Sequence, residues 1–229
     1  MEDSKNALLS ICSYRDSYCS HLNPWNIDIG IQKDTANRIV QLYETEPRAA
    51  LRDCFPAHLT GSAFVLNFLH THTALIFHKK IGKWMQPGGH ADGDFLLSRV
   101  ALREAQEETG IADLRFVCLN QPDRIQQIHE AHEFAGLFSQ TLLPLPFDTD
   151  IHIIPAHGDV SEHWHFDARY LLVAQQDAMF VATDEVGGIE WVPLDRISEW
   201  TNEWSVLRMA KKVIALLDDG VKRMSLMLP

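Results

Sequence analysis

The chain has 229 residues, of which 46% are hydrophobic, and its acidic residues outnumber its basic residues by 31 to 20. This hydrophobic share is large enough to form a folded core and excludes a largely disordered chain. The formal net charge of -11 argues against nucleic acid as the main partner, because binding to a phosphate backbone usually requires a basic surface.

The sequence carries no signal for a membrane or for secretion. It has no run of about 18 apolar residues, and its first residues lack the basic and apolar regions of a secretory signal. The four cysteines form no C-x-x-C pair and are typical of free thiols in a reducing compartment. We therefore expect a cytoplasmic protein that binds no membrane.

The first part of the chain, residues 1–57, is predicted to be a helical extension. Apolar residues repeat at helical spacing between Ala7 and Cys12. A second helix is predicted from about Thr35 to Glu44, with Asp34 as its N-cap. Residues 58–229 then have a different composition and are expected to form the catalytic domain, including the C-terminal helices.

Short β-rich segments dominate this second part. SAFVLNF and ALIFHKK predict two adjacent strands, and four more strands are predicted by RFVCL, DIHIIPA, HWHFDARYLLVA and IEWVPL. GKWMQPGGHADGD predicts a loop, and a helix is predicted from about Phe95 to Thr109, ended by Gly110. Two further helices are predicted at roughly 194–199 and 203–218. This order favours a mixed α+β fold with one helix packed early and one late.

The helix predicted after the glycine-rich loop contains acids in its apolar stripe. At about 100° per residue, Leu96, Leu97, Val100 and Ala101 lie on one face of the helix. The next two turns of the same face carry three glutamates: Glu104, Glu107 and Glu108. Three carboxylates at this spacing repel one another, and partial burial increases the repulsion. A chain tolerates such a set when a cation lies between the carboxylates, and oxygen ligands favour Mg²⁺ or Mn²⁺. A solvated acidic turn is the simpler alternative, which the nearby glycine loop disfavours.

The stretch from Gly89 to Ile111 resembles the Nudix box. That pattern is glycine, five residues, glutamate, seven residues, and then R-E-aliphatic-x-E-E-x-G-aliphatic. The segment REAQEETGI, which begins at Arg103, follows it at the matching distance from the glycine. One position departs, because Phe95 stands where the family has an isolated glutamate, with Asp94 one residue earlier. We expect Asp94 to replace that glutamate, either as a helix N-cap or as a partner of Arg103.

The resemblance implies the α/β/α sandwich of the Nudix fold with a mixed sheet, and a metal-dependent pyrophosphohydrolase. Such an enzyme cleaves a nucleoside diphosphate linked to another moiety and uses Mg²⁺ or Mn²⁺. By the same resemblance, Gly89 lends a backbone carbonyl to the metal, and three glutamates are metal ligands: Glu104, Glu107 and Glu108. Arg103 orients these glutamates. A homodimer is expected on resemblance only.

The general base is expected in one of two places. In the family it is either a glutamate of the box or a glutamate on a later loop. Glu107 represents the first kind here. Glu185, in the segment TDEVGGIEW, is the candidate of the second kind, and an ordinary solvated loop acid is the equal alternative for it.

The segment HWHFDARYL alternates polar and apolar side chains. On a strand, one face would carry His163, His165, Asp167 and Arg169. This alternation is typical of a half-buried strand, and the functional interpretation makes the polar face a substrate-binding wall of the cleft. His90, next to the glycines, is expected to contact a phosphate. A His-x-His pair on a strand also suits zinc, and Asp150 and His152 would lie nearby if their strand pairs with this one.

Two other functions stay open. An isomerase similar to isopentenyl-diphosphate isomerase would need a catalytic cysteine and histidine metal ligands, for which Cys118, His163 and His165 are candidates. A ligand-sensing module without catalysis is the second alternative. Such a module often loses glutamates of the box, whereas this sequence keeps R-E-x-x-E-E.

Overall fold

The structure is a computed structural model that describes residues 2–16, 28–117, 144–176, 178–181 and 186–227. In residues 2–4 and 219–227 it describes the backbone only. The α-helices are α1 (Glu2–Ser13), α2 (Ile29–Thr45), α3 (Leu97–Thr109) and α4 (Trp204–Met227), and a 3-10 helix spans Leu194–Glu199. The strands are β1 (Ala57–Leu66), β2 (His72–His78), β3 (Lys83–Met85), β4 (Gly88–His90), β5 (Leu114–Phe116), β6 (Asp148–Ile154), β7 (His163–Ala174) and β8 (Ile189–Pro193).

These strands form one mixed sheet with β1 and β7 at its centre. The strand order is β3-β2-β1-β7-β5, and β4 pairs with β1, β6 with β7, and β8 with β2. β1 runs parallel to β7, and their register joins residues 57–66 to residues 164–173. The other pairings are antiparallel. The predicted adjacency of the first two strands is confirmed by the pairing of β1 with β2.

Helices cover both faces of the sheet. The Thr35 hydroxyl of α2 lies 2.6 Å from the Thr149 hydroxyl of β6, and the Lys212 ammonium of α4 donates to Asp148 of the same strand at 2.6 Å. Consecutive side chains of a strand point to opposite faces, so α2 and α4 lie on opposite sides of the sheet. α3 packs against β1 and β7. The predicted α/β/α sandwich is therefore confirmed.

The N-terminal helices share the core of the sheet. Ile11, Tyr14 and Ile39 are buried in the same hydrophobic cluster as β1 and β7. The Gln32 side chain of α2 also donates to the Thr149 carbonyl at 3.0 Å. The division at residue 57 stays a prediction. None of the described helices is long and apolar enough to cross a membrane.

Two local predictions differ from the structure. α2 begins at Ile29, so Asp34 lies inside the helix and its prediction as N-cap is wrong. The glycine-rich segment contains β3 and β4 where a loop was expected. Both short strands depend on partners distant in sequence, because β3 pairs with β2 and β4 pairs with β1, and local composition does not record such pairing.

Gly61 marks the closest approach of α3 to the sheet. A Cβ atom at this position would lie 2.7 Å from the Leu97 carbonyl oxygen and 3.0 Å from the Val100 Cβ. The carbonyl belongs to the helix backbone and cannot rotate away as a side chain would. Glycine at position 61 therefore sets how closely α3, with its glutamates, lies to β1.

We predict that Gly61→Ala lowers the free energy of unfolding by about 1–3 kcal/mol, since the new methyl group forces α3 away from β1. Gly30→Ala is the control, because a Cβ there has no atom within 4 Å. Its effect should be neutral or a gain of up to about 1 kcal/mol through helix propensity. Urea unfolding of both variants gives the comparison, and a Gly61→Ala midpoint equal to that of the unmodified chain would contradict the packing described.

Candidate functional site

The three glutamates of α3 lie at different depths. Glu108 is 8% exposed, and the side chain of Glu104 is 15% exposed. The side chain of Glu107 is 52% exposed. The buried stripe thus continues through Glu104 and Glu108, which are four residues apart, whereas Glu107 is turned by about 100° from Glu108 and lies at the rim.

Two glycines of β4 allow the backbone to reach these carboxylates. The Gly88 N–H donates to a carboxylate oxygen of Glu108 at 2.9 Å. A Cβ at Gly89 would overlap the carboxylate of Glu104. A Cβ at Gly88 would lie 2.7 Å from the Ser62 Cβ on the other side of the strand. β1, β4 and α3 therefore lie too close together to leave space for a side chain at Gly88 or Gly89.

The carbonyl that faces the glutamates belongs to Gly88. The Ala63 N–H donates to the Pro87 carbonyl at 2.9 Å, and in an antiparallel pair such hydrogen-bonded residues recur at every second position. Gly61 and Gly89 form the next pair of this kind, so both backbone groups of Gly89 are directed to β1. Gly88 lies between Pro87 and Gly89 on β4, so its N–H and its carbonyl point away from β1 and toward α3. The metal contact predicted for the Gly89 carbonyl stays a prediction, and the pairing with β1 makes the Gly88 carbonyl the alternative.

Arg103 connects α3 to β4. Its guanidinium donates to Glu104 Oε1 at 2.7 Å and to the His90 carbonyl at 2.8 Å. It also lies 4.0 Å from the carboxylate of Glu107. Burial raises the pKa of the Glu104 carboxyl, although the charge of Arg103 opposes the shift. Arg103 thus fixes the orientation of Glu104, and a further cation beside this carboxylate would stabilise its ionised form.

Asp94 contacts residues at the start of α3, whereas Arg103 contacts the glutamates. Its Oδ1 accepts the Leu96 N–H at 2.8 Å and an N–H of Arg99 at 2.7 Å. The N-cap of α3 is Leu96, so the predicted role of Asp94 as N-cap is wrong. Its arginine partner is Arg99 and not Arg103, because Arg103 donates to Glu104 and to the His90 carbonyl. Phe95 packs against α2, with its ring centroid 5.8 Å from that of Tyr43.

The polar face of β7 is covered where an open cleft wall was expected. β6 and β7 pair as anticipated, with His152 opposite His165 and Asp150 opposite Asp167. Asp167 is 1% exposed and Arg169 is 2% exposed. The pattern of alternation could not show that α4 covers this face.

A charge-balanced network occupies the covered face. It contains three carboxylates and three cations: Asp148, Asp150 and Asp167 with Arg169, Arg208 and Lys212. Arg169 donates to Asp167 at 2.8 Å and to Asp150 at 3.0 Å. Burial opposes the ionisation of Asp148, but Lys212 and Arg208 outweigh it and lower the pKa of this carboxyl. The substrate contacts predicted for Asp167 and Arg169 stay predictions, and the structure gives both residues partners inside the protein.

The predicted histidines lie together, and they are joined by His58, which was not among the predicted site residues. His90, His163 and His165 surround His58 of β1, and the ring centroids of these three lie 4.8–5.1 Å from that of His58. Burial lowers the pKa of His165 to about 2 and that of His90 to about 4, so both rings are neutral near pH 7. A signal for His58 existed, because His58, Thr60 and Ser62 form a period-2 polar row within an otherwise apolar strand.

Two candidate residues lie outside the described part of the chain. These are Glu185, the loop candidate for the general base, and Cys118, the cysteine of the isomerase alternative. Cys12 and Cys54 are described and are free thiols.

Comparison with known proteins gives a family. The model of the NUDIX domain matches residues 60–213. Similar solved structures include a NUDIX-family hydrolase from Clostridium perfringens, 22% identical, with a TM-score of 0.48 over 69% of this chain and 97% of that one. An Ap4A hydrolase from C. elegans is 15% identical, with a TM-score of 0.46 over 70% of this chain and 98% of that one. The NUDIX domain of NrtR from Shewanella oneidensis, in complex with ADP ribose, is 14% identical, with a TM-score of 0.42 over 77% and 97%. A search of curated proteins found no match.

We predict that Phe95→Glu destabilises the protein by about 1–3 kcal/mol, because it removes apolar contact with Tyr43 and places a carboxylate in a half-buried position. Phe95→Leu keeps the apolar contact and should cost less than about 1.5 kcal/mol. Thermal and urea unfolding of both variants test this. A Phe95→Glu variant as stable as the unmodified chain would mean that the glutamate typical of the box fits this position as well as phenylalanine does.

Proposed function

The chain belongs to the NUDIX family, and we propose that it is a metal-dependent pyrophosphohydrolase that cleaves a nucleoside diphosphate linked to another moiety. Family membership supports a hydrolase that acts on diphosphate bonds. The finer assignment rests on the junction of β4 with α3. There the Gly88 backbone, Glu104 and Glu108 meet in one partly buried place.

The donor atoms at this junction fit a hard divalent cation. They are carboxylate oxygens and a backbone carbonyl, which suit Mg²⁺ or Mn²⁺ better than softer metals. Burial raises the pKa of the Glu104 carboxyl although Arg103 opposes the shift, and a bound cation would offset this effect of burial. Glu104, Glu108, Glu107 and the Gly88 carbonyl are the groups that would hold the ion. When bound, the ion would neutralise the charge of the diphosphate and acidify a water molecule.

Other side chains would orient the metal ligands and accept the proton of the attacking water. Arg103 holds Glu104 through one N–H and the β4 backbone through another, so the carboxylate keeps one orientation. Glu107 lies at the rim with its carboxylate half exposed, where it can accept a proton from an attacking water. Glu185 is the alternative base. The homodimer implied by the resemblance stays a prediction.

The alternatives differ in what they require. A sensing module needs the fold but not the glutamates, whereas here two glutamates contact the glycine backbone and a third lies at the rim. An isomerase needs a cysteine at the site, and its candidate, Cys118, lies outside the described residues. The contacts between the glutamates and the glycine backbone therefore favour the hydrolase.

We predict that Glu107→Gln lowers the metal-dependent turnover number by about 100-fold or more, since it removes a charged group that acts at the reacting centre. The unfolding midpoint should stay unchanged because the side chain is half exposed. The measurement is the appearance of nucleotide hydrolysis products, separated by liquid chromatography, from nucleotide sugars, ADP-ribose, dinucleoside polyphosphates and modified nucleotides, with Mg²⁺, Mn²⁺ or EDTA.

Glu44→Gln is the matched control for this substitution, because Glu44 is an exposed helical glutamate of α2. It should keep full activity. Full activity of Glu107→Gln would refute the site assignment. If the unmodified chain hydrolyses none of these substrates, the sensing module or the isomerase would be favoured instead.

A further inference from the structure

Four histidines from three strands converge at one end of the sheet: His58 of β1, His90 of β4, and His163 and His165 of β7. One ring nitrogen of each lies within 4.8 Å of those of the other three. His58 is 1% exposed and His163 is 5% exposed. Among the residues that the structure describes, no other group of three or more histidine, cysteine or acidic side chains comes this close.

The strand register brings these side chains together. His58 lies opposite His165 in the parallel pair β1–β7, and His90 lies opposite Thr60 in the pair β4–β1. Residues that lie opposite each other share a face of the sheet, and so do residues two apart on one strand. All four imidazoles therefore project from the same face, which is the face opposite α3.

Hydrogen bonds fix the tautomers of two rings. His58 Nδ1 lies 3.2 Å from the Cys54 carbonyl, and His163 Nδ1 lies 2.8 Å from the Ser161 carbonyl. A carbonyl oxygen only accepts, so each ring carries its proton on Nδ1 and leaves the lone pair on Nε2. This arrangement, in which a backbone carbonyl binds one ring nitrogen and leaves the other for a ligand, is typical of metal-binding histidines.

The remaining nitrogens need a partner. His58 Nε2 and His165 Nε2 are both buried, and neither has a hydrogen-bond partner. A buried polar atom without a partner costs about 1–3 kcal/mol, so two within one cluster need an explanation. One cation bound to both nitrogens would satisfy them together.

We propose that His58, His90, His163 and His165 form a binding site for one transition-metal ion of the Zn²⁺ class, separate from the carboxylate site on α3. Imidazole ligands suit Zn²⁺, Co²⁺, Ni²⁺ or Cu²⁺, whereas Mg²⁺ prefers oxygen. In a zinc tetrahedron with Zn–N bonds of about 2.0–2.1 Å, neighbouring nitrogens lie about 3.4 Å apart. The four rings would therefore draw together by about 1 Å on binding.

The site lies back to back with the glutamates. Position 89 faces Glu104, so the next side chain on β4, that of His90, points to the opposite face. The His90 carbonyl meanwhile accepts the Arg103 guanidinium. A metal bound by the histidines would join β4 to β1 and β7 and would anchor the Gly88–Gly89 backbone from behind. We infer that its role is to position this backbone.

The test is the zinc content of the full chain after zinc loading and desalting into buffer with excess Mg²⁺. Elemental mass spectrometry should find one Zn²⁺ per unmodified chain. His163→Ala and His165→Ala should retain clearly less than one Zn²⁺ per chain, because loss of a direct ligand weakens binding by at least the roughly 10–100-fold that loss of an outer partner costs. His157→Ala, at an exposed histidine, should keep the metal.

Glu107→Gln separates this proposal from the hydrolase site. It should keep one Zn²⁺ even if it loses turnover, and loss of zinc in this variant would assign the metal to the carboxylates and overturn the proposal. If the histidine variants do not fold, X-ray absorption of the unmodified zinc-loaded chain decides. Four nitrogen ligands with imidazole scattering would support the site, and oxygen ligands or no bound zinc would refute it.

Discussion

The position of β1 between β4 and β7 is the constraint on which both sides of the sheet depend. Because side chains alternate along a strand, this register sends Gly61 and Gly89 to α3 and sends His58 and His90 to the other face. A slip of one residue would exchange the two sets. The glycines would then no longer admit α3, and the glutamates would lose their contact with the β4 backbone.

Buried polar contacts select this register. Thr60 and Ser62 of β1 donate to Asp167 of β7 at 2.8–3.0 Å, which is possible only when these residues share a face. Arg169 then extends the contacts to β6, and Arg208 and Lys212 of α4 complete the charge balance. Removing one member of such a network typically costs about 3–5 kcal/mol, so misaligned pairings are penalised more strongly than they would be in an apolar interface. The main effect of the network is therefore to favour the native register of β1 and β7 over misaligned registers.

The sequence predicts best where the signal is local. The bounds of β7 agree with HWHFDARYLLVA, and α3 ends at Thr109 with Gly110 as its C-cap, whose φ of 70° suits glycine. What could not be predicted depends on distant residues. The alternation in β7 is the same whether its polar face meets water or α4, and only the positions of Arg208 and Lys212 distinguish the two. His58 was missed for a similar reason, because a single histidine acquires a role only when the strands bring it beside three others.

The two proposed sites use different chemistry at one short strand, and this difference follows from its sequence. On one side of β4 the glycines leave space that carboxylates fill, which suits a cation that keeps water and binds phosphate oxygens. On the other side, His90 meets imidazoles, which exclude hard cations in favour of metals of the zinc class. The His90 backbone connects the two sides, since its carbonyl binds the same Arg103 that orients Glu104. A displacement of β4 would therefore move Arg103 and Glu104, so an anchor behind β4 would act on the geometry of the glutamates without contacting them.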